Sequence, residues 1–285
     1  HGGIESDVTV TRLSETAYLI VTPAATVPRD MAWLRRHIGD ARAVAVDVTS
    51  AEAVLCVMGP SARALLESVS PDDFTNASHP FGMMREVEIG YGLARAHRVS
   101  YVGELGWEIY TPTDQAAHVY ETLVEAGADH NLVHCGLRAM DTCRLEKGFR
   151  HYGHDITEED HVLEAGLGFA VKTDKPDFIG RDAVLRKRET GPARRMVQFQ
   201  LNDAEPLLYH NEPIVRDGKI VGYLTSGNYG HHLGASVGLG YVPCEGESAA
   251  DVLGSSYSIE VAGARVAATA SLKPLYDPKS ERMKV

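Results

Sequence analysis

Cysteine is scarce in this 285-residue chain: Cys56, Cys135, Cys143 and Cys244 lie far apart, with no C-x-x-C pair among them. Neither a disulfide framework nor a thiolate zinc site is therefore expected, and a reducing compartment is the simpler assumption. Long apolar runs are missing too. No stretch approaches the roughly 20 apolar residues that a spanning helix needs, so no membrane role is expected. Positive charge is in deficit, with 28 Lys and Arg against 39 Asp and Glu and a net charge of −11. That balance argues against broad contact with nucleic-acid phosphates or an anionic membrane, since both reward basic surfaces. Neither a Walker loop nor a G-x-G-x-x-G fingerprint is present, so a phosphate cradle lacks support. The chain opens at His1-Gly2-Gly3 without an initiator Met or a signal-peptide pattern. It is read as a processed product or as the later part of a longer polypeptide.

What is present is ordinary globular material, 44% hydrophobic and 24% charged, enough for two or three packed units. Val8 and Val10 alternate with threonines, and Tyr18 to Thr22 follows a turn, which predicts a hairpin. Pro28 opens a short amphipathic helix through Met31, Trp33, Leu34 and Ile38. Val44 to Val48 and Val54 to Met58 read as strands, and Ala62 to Ser68 as a helix. From Met84 to Ile109 the pattern is again β, followed by helices over Gln115 to Ala126 and Gly136 to Lys147. Asp155 to Arg188 reads as a connecting stretch with small pieces of structure. From Arg194 onward, short alternating strands with Asp217-Gly218 and Ala262-Gly263 turns predict an all-β barrel or sandwich. The fold class is α+β, with largely antiparallel sheet.

Four features could carry chemistry. Gly2-Gly3-Ile4-Glu5-Ser6-Asp7 places an acid at the edge of the first strand, although a solvated turn has the same look. In Tyr101-Val102-Gly103-Glu104-Leu105-Gly106-Trp107-Glu108, a regular strand puts Tyr101, Gly103 and Trp107 on one face and Glu104 and Glu108 on the other. A carboxylate with little bulk around it can accept two N–H bonds from a planar heterocycle, while the bland alternative is a Gly-rich hairpin whose Trp107 packs. Asp141 and Arg144, three apart on a helix, read by default as a surface charge ladder. His130 and His134, and the group His151, His154 and His161, lack an H-E-x-x-H pattern, so no metal site is assigned.

The order of these motifs is more specific than any one of them. Gly2-Gly3-Ile4-x-x-Asp7, Tyr101-x-Gly103-Glu104-x-Gly106-x-Glu108, Asp141-x-x-Arg144-Leu145-Glu146-Lys147-Gly148 and Phe178-Ile179-Gly180-Arg181-Asp182-Ala183 together resemble the glycine-cleavage T-protein (aminomethyltransferase) family. Gly222-Tyr223-Leu224-Thr225-Ser226-Gly227 and Gly238-Leu239-Gly240-Tyr241-Val242 resemble its C-terminal barrel. The ending Leu272-Lys273-Pro274-Leu275-Tyr276-Asp277-Pro278 is closer to the folate domain of flavin-dependent dimethylglycine and sarcosine dehydrogenases.

The resemblance implies antiparallel sheets with flanking helices in two subdomains around a central folate hole, plus the barrel. In this scheme residues 1–50 are the remainder of a first folate-binding subdomain whose upstream part is missing, and 51–150 form the second. Residues 151–193 return to the first, and 194–285 are the barrel. The resemblance further implies tetrahydrofolate as cofactor, a small substrate derived from an N-methyl amine, and FAD in an upstream module or associated chain. It places Asp7 beside folate N10 and the one-carbon unit, Glu108 on the pteridine with Tyr101 beside the ring, and Tyr229 at the same hole from the barrel. The implied activity is capture of a formaldehyde-level unit to give 5,10-methylenetetrahydrofolate, in the bacterial cytoplasm or, in a eukaryote, the mitochondrial matrix. A non-catalytic folate-binding or structural module of the same fold is the alternative. One departure stands out: where T-proteins read Gly-Leu-Gly-Ala-Arg-Asp, this chain has Gly136-Leu137-Arg138-Ala139-Met140-Asp141.

Overall fold

The computed structural model describes residues 2–285, which divide into two compact units. The first comprises residues up to Asp7 and Arg138–Pro278; the second comprises Val8–Leu137 and Lys279–Val285.

The second unit opens with strands β1 (Thr9–Arg12) and β2 (Tyr18–Val21), paired antiparallel from Thr9↔Val21 to Arg12↔Tyr18. They form a sheet of their own, and its apolar side chains stay exposed: Val10 at 57% and Tyr18 at 57%. Helix α1 (Val27–Ile38) starts with Pro28 in its first turn, where proline's missing N–H costs nothing. The expected strand over Val44 to Val48 does not form. That segment finds no ladder partner among the described residues, and Val44 is 88% exposed. Alternating valines favour an extended backbone, but a strand also needs a neighbour to take its N–H and C=O groups.

The main sheet is built from β3 (Glu52–Met58), β4 (Met84–Ile89), β5 (Gly92–His97) and β6 (Gly106–Pro112), in the spatial order β3-β6-β5-β4. Helices α2 (Ala62–Val69) and α3 (Ala116–Gly127) join it in one core. Because successive strand residues point to opposite faces, Trp107, Ile109, Ala94, Ala96, Val87 and Ile89 enter that core with Leu66 and Val119. The opposite face receives Cys56, Glu108, Tyr110, Arg95 and His97, as the register dictates. Residues 279–285 end on this unit, where Arg63 Nη2 and Arg98 Nη2 donate to the Val285 carbonyl at 2.6 and 2.7 Å.

In the first unit, α4 (Leu137–Glu146, from Arg138 on) and α5 (Arg181–Thr190) precede a closed barrel. Its strands are β7 (Arg194–Leu201), β8 (Pro213–Arg216), β9 (Lys219–Gly230), β10 (Ala235–Pro243), β11 (Tyr257–Val261) and β12 (Ala264–Ser271), all antiparallel. The spatial order is β10-β7-β12-β11-β8-β9, and closure removes every free edge. Val197, Phe199, Leu201, Leu224 and Ile259 fill the barrel. A second apolar cluster packs Leu145 and Ile156 on Met196, Val237 and Leu239. Helix α5 was not foreseen within the connecting stretch: Arg-Asp-Ala-Val-Leu-Arg-Lys-Arg-Glu-Thr has too few apolar positions to read as amphipathic, and only Val184 is buried. A short helix, α6 (Ala249–Gly254), opens on a capping box between Ser248 and Asp251, and α7 (Glu281–Lys284) closes the chain's second unit.

Candidate functional site

Asp7 ends the N-terminal segment of the first unit. The path to it is fixed by the glycine pair: a Cβ on Gly3 would stand 1.8 Å from the Glu158 carbonyl oxygen, so only glycine fits there. Gly3 also bridges to His161, and Ile4 N–H donates to the Asp160 carbonyl at 3.1 Å. The Tyr152 hydroxyl adds a bond to the Glu5 carbonyl at 2.8 Å. The segment is thus tied down by main-chain bonds just before the acid. Asp7 itself keeps exposed surface, yet the protein around its carboxyl desolvates it enough to hold its pKa above the ordinary carboxylate range.

Tyr229, also in the first unit, lies near the end of β9, half-buried, with its ring 5.2 Å from that of His231. Behind it the unit is braced by Arg144. The default reading of Asp141 and Arg144 as a surface ladder is corrected here. Arg144 is buried and donates to Asp141 Oδ1 at 2.7 Å, to the fully buried Asp155 at 2.6 Å and to Ser226 Oγ on β9 at 2.9 Å. An i, i+3 spacing looks the same on a buried helix face as on an exposed one, so the sequence alone could not separate them. Thr225 Oγ1 donates to the other Asp155 oxygen at 2.5 Å, so the acid is fully engaged and serves the scaffold. Met140, at the departure from the T-protein pattern, is half-buried on α4, and Arg138 is exposed.

Tyr101 and Glu108 belong to the second unit. The expected alternation from Tyr101 to Glu108 does not hold, because β6 begins only at Gly106. Residues 101–105 bend, with Gly103 at φ 79°, a left-handed conformation that no regular strand accommodates. Glu104 instead lies 3.7 Å from Arg282, and Tyr101 is half-buried in the bend. From Gly106 on, the alternation is regular. Trp107 is fully buried, with the Phe74 ring edge-on at 5.5 Å, while Glu108 points to the other face.

There Glu108 is flanked across the sheet by Cys56 on β3 and His97 on β5, and it accepts a hydrogen bond from the Tyr110 hydroxyl. Burial keeps the His97 imidazole below its ordinary pKa, which favours the neutral ring. Burial, and then the Glu108 charge, push the Cys56 thiol up to about 11. Since the thiolate is the reactive form, alkylation of Cys56 by iodoacetamide below pH 9 should run about 100-fold slower than that of an unperturbed thiol and climb until about pH 11. Peptide-resolved mass spectrometry across that range is the check, and a half-rate point near pH 9 would contradict it.

Among the described residues, no group of three or more His, Cys, Asp or Glu side chains is placed to hold a metal ion. A small cleft in the first unit is lined by Arg150, Gln198 and Lys273, and none of the four site residues reaches it. Gly234-Ala235-Ser236-Val237-Gly238 has the G-x-S-x-G spacing, but Ser236 is fully buried and donates to the Pro206 carbonyl at 2.8 Å, which is no exposed nucleophile elbow.

Comparison with known proteins bears on the whole chain. Residues 1–175 match the GCVT N-terminal domain family, and residues 194–277 match the glycine cleavage T-protein C-terminal barrel domain. The chain is 42% identical over 283 residues to a 4-methylaminobutanoate oxidase (formaldehyde-forming) of Paenarthrobacter nicotinovorans, covering 99% of this chain and 34% of the oxidase. It is 33% identical over 302 residues to human mitochondrial sarcosine dehydrogenase, covering 99% of this chain and 33% of the dehydrogenase. An aminomethyltransferase of Bacillus subtilis is 33% identical over 278 residues, covering 96% of this chain and 74% of that enzyme. The chain thus spans about a third of the oxidase and dehydrogenase relatives. The crystal structure of glycine cleavage system aminomethyltransferase T from Bartonella henselae superposes with a TM-score of 0.81 at 27% identity, covering 97% of this chain and 73% of that one.

Proposed function

This chain is a member of the glycine cleavage T-protein (aminomethyltransferase) family, and from that premise we propose that it binds tetrahydrofolate and transfers a one-carbon unit to it. The carbon comes from oxidation of a small N-methyl amine of the dimethylglycine or sarcosine type. The oxidation itself belongs to an FAD-containing module that lies upstream in a longer polypeptide or on an associated chain. The oxidase and dehydrogenase relatives, of which this chain matches about a third, support that arrangement. The exposed β1–β2 hairpin and the Val44 to Val48 segment, which has no ladder partner among the described residues, are consistent with a further or associated module, since both offer edges on which other strands could pair. On this reading residues 1–50 and 151–193 serve one folate-binding subdomain, 51–150 the other, and the protein works in a bacterial cytoplasm or a mitochondrial matrix.

The observation that carries the folate reading is Glu108, a carboxylate held on the face of the β3-β6-β5-β4 sheet opposite the apolar core. An ionised carboxylate is acceptor-only, with lone pairs left over after the Tyr110 bond. That fits the N–H-rich edge of a pterin, for which Glu108 supplies the acceptors and Tyr101 an apolar flank. Tyr229 would border the ligand from β9.

Bound folate supplies N5 and N10 as nucleophiles toward an iminium carbon, giving 5,10-methylenetetrahydrofolate. In the balance two C–N bonds form, the iminium C=N bond breaks to release the amine, and one net proton remains. Asp7 either accepts that proton or stabilises the positive charge that develops near N10. The raised pKa of its carboxyl fits a proton acceptor better than an inert surface acid would. The enzyme's other task is to hold the reactants together and away from competing water.

The test is direct. Incubated with tetrahydrofolate and formaldehyde, the chain should form 5,10-methylenetetrahydrofolate faster than the uncatalysed background. Tight folate binding with no acceleration would point instead to a binding module, and absence of folate binding would overturn the reading altogether.

A further inference from the structure

Among the described residues, no ion pair joins Glu108 to a cation. The nearby Arg95 guanidinium is engaged by Glu52. Across the sheet Glu108 meets a thiol on one side and the buried His97 on the other. Its hydrogen bond from the protein comes from Tyr110, two residues on and therefore on the same face of β6. Tyr110 is only 3% exposed, so its ring is fixed by packing and its hydroxyl has little water to turn to. A rigid phenol donating to one oxygen of a half-buried carboxylate fixes the plane of that carboxylate. The second oxygen, and the remaining lone pair of the first, then keep a constant direction.

We propose that Tyr110 is a positioning residue for folate recognition: by holding Glu108 Oε2 it fixes the carboxylate in the orientation that receives two N–H donors from the ligand's ring edge. The inference rests on the reading of Glu108 as the pterin acid. Two parallel hydrogen bonds to a planar group demand coplanarity, which a freely rotating carboxylate offers only part of the time, and ordering it on binding lowers affinity. Tyr110 acts through Glu108 and touches no reacting atom.

Calorimetry with tetrahydrofolate on the full chain tests this with Tyr110→Phe, Glu108→Ala and the double variant. Phenylalanine keeps the packed ring and removes only the hydroxyl. Tyr110→Phe should weaken folate binding about 5- to 10-fold and raise the KM for folate by the same factor. Turnover at saturating folate should stay near wild type, because orientation of the ring is restored once the site is filled. In the Glu108→Ala background, the same substitution should have no further effect. If Glu108→Ala weakens binding while Tyr110→Phe does not, the positioning role is overturned and the pterin acid stands. An equal loss from Tyr110→Phe with and without Glu108 would also overturn it, since the tyrosine would then act elsewhere. If Glu108→Ala leaves binding intact, both readings fall together.

Discussion

Replacing Asp7 by asparagine should leave tetrahydrofolate affinity within a few-fold of wild type and lower methylene transfer by about 10²-fold or more. Asparagine keeps the shape of the side chain but can neither take up a proton nor place a negative charge near N10. The main-chain ties that fix Gly3, Ile4 and Glu5 are untouched by the substitution, so the segment should keep its path. The loss should therefore fall on turnover rather than on binding. The pH profile carries a second signature. Desolvation holds the Asp7 carboxyl above its ordinary value, so the ionised, active form is lost at a higher pH than a solvated aspartate would allow. The acid limb of the rate profile should sit correspondingly high in the wild type and disappear in Asp7→Asn. Rates of methylene-folate formation from pH 4 to 9 test both statements. An unchanged rate would remove Asp7 from the mechanism.

Glu108→Ala should act on the other quantity. It removes the acceptor for the ring's N–H donors, and hydrogen bonds to a charged group contribute enough that folate affinity should fall about 10- to 100-fold. The Tyr110 hydroxyl also loses its acceptor, so Tyr110 is left buried with an unpaired donor. A modest drop in thermal stability is expected beside the binding loss. Glu108→Gln separates the two effects: glutamine restores an acceptor for Tyr110 and hence stability, but its NH₂ group opposes the ligand's donors, so affinity should stay low. Recovery of stability without recovery of binding supports the assignment, whereas recovery of both would mean that charge and acceptor capacity at this position do not matter.

Much of the architecture was legible from local pattern. Val54 to Met58 and the segment ending at Ile109 read as strands and pair as β3 and β6, and closely spaced turns such as Asp217-Gly218 announced the barrel. Where the sequence misled, long-range partners decided the outcome. Val44 to Val48 has the composition of a strand but no ladder partner among the described residues. Helix α5 lacks an apolar stripe: only Val184 is buried, and the helix is held by polar ties instead, Lys187 pairing with Glu164 and Arg181 donating to the Thr173 and Lys175 carbonyls. Arg144 reads as a surface residue until Asp155 and Ser226, distant in sequence, close around it.

At the candidate site, the acids Asp7 and Glu108 and the ring Tyr101 stood out only through the order of their motifs; the spacing by itself also fitted a solvated turn and a packed hairpin. Tyr110 could have been found from the sequence, because residues i and i+2 of a strand share a face and a phenol beside a carboxylate will donate to it. The bend at Gly103 hid the true start of β6, and with it which of Glu104 and Glu108 belonged to the regular ladder.

A crystal structure of the chain grown with 5-formyltetrahydrofolate, a stable folate, tests the central claim most directly. The pterin ring should lie on the Glu108 side of the β3-β6-β5-β4 sheet, opposite its apolar core, with two ring N–H groups at about 2.7–3.0 Å from Glu108. A pterin bound away from that carboxylate, or a chain that takes up no folate at millimolar concentration, would contradict it.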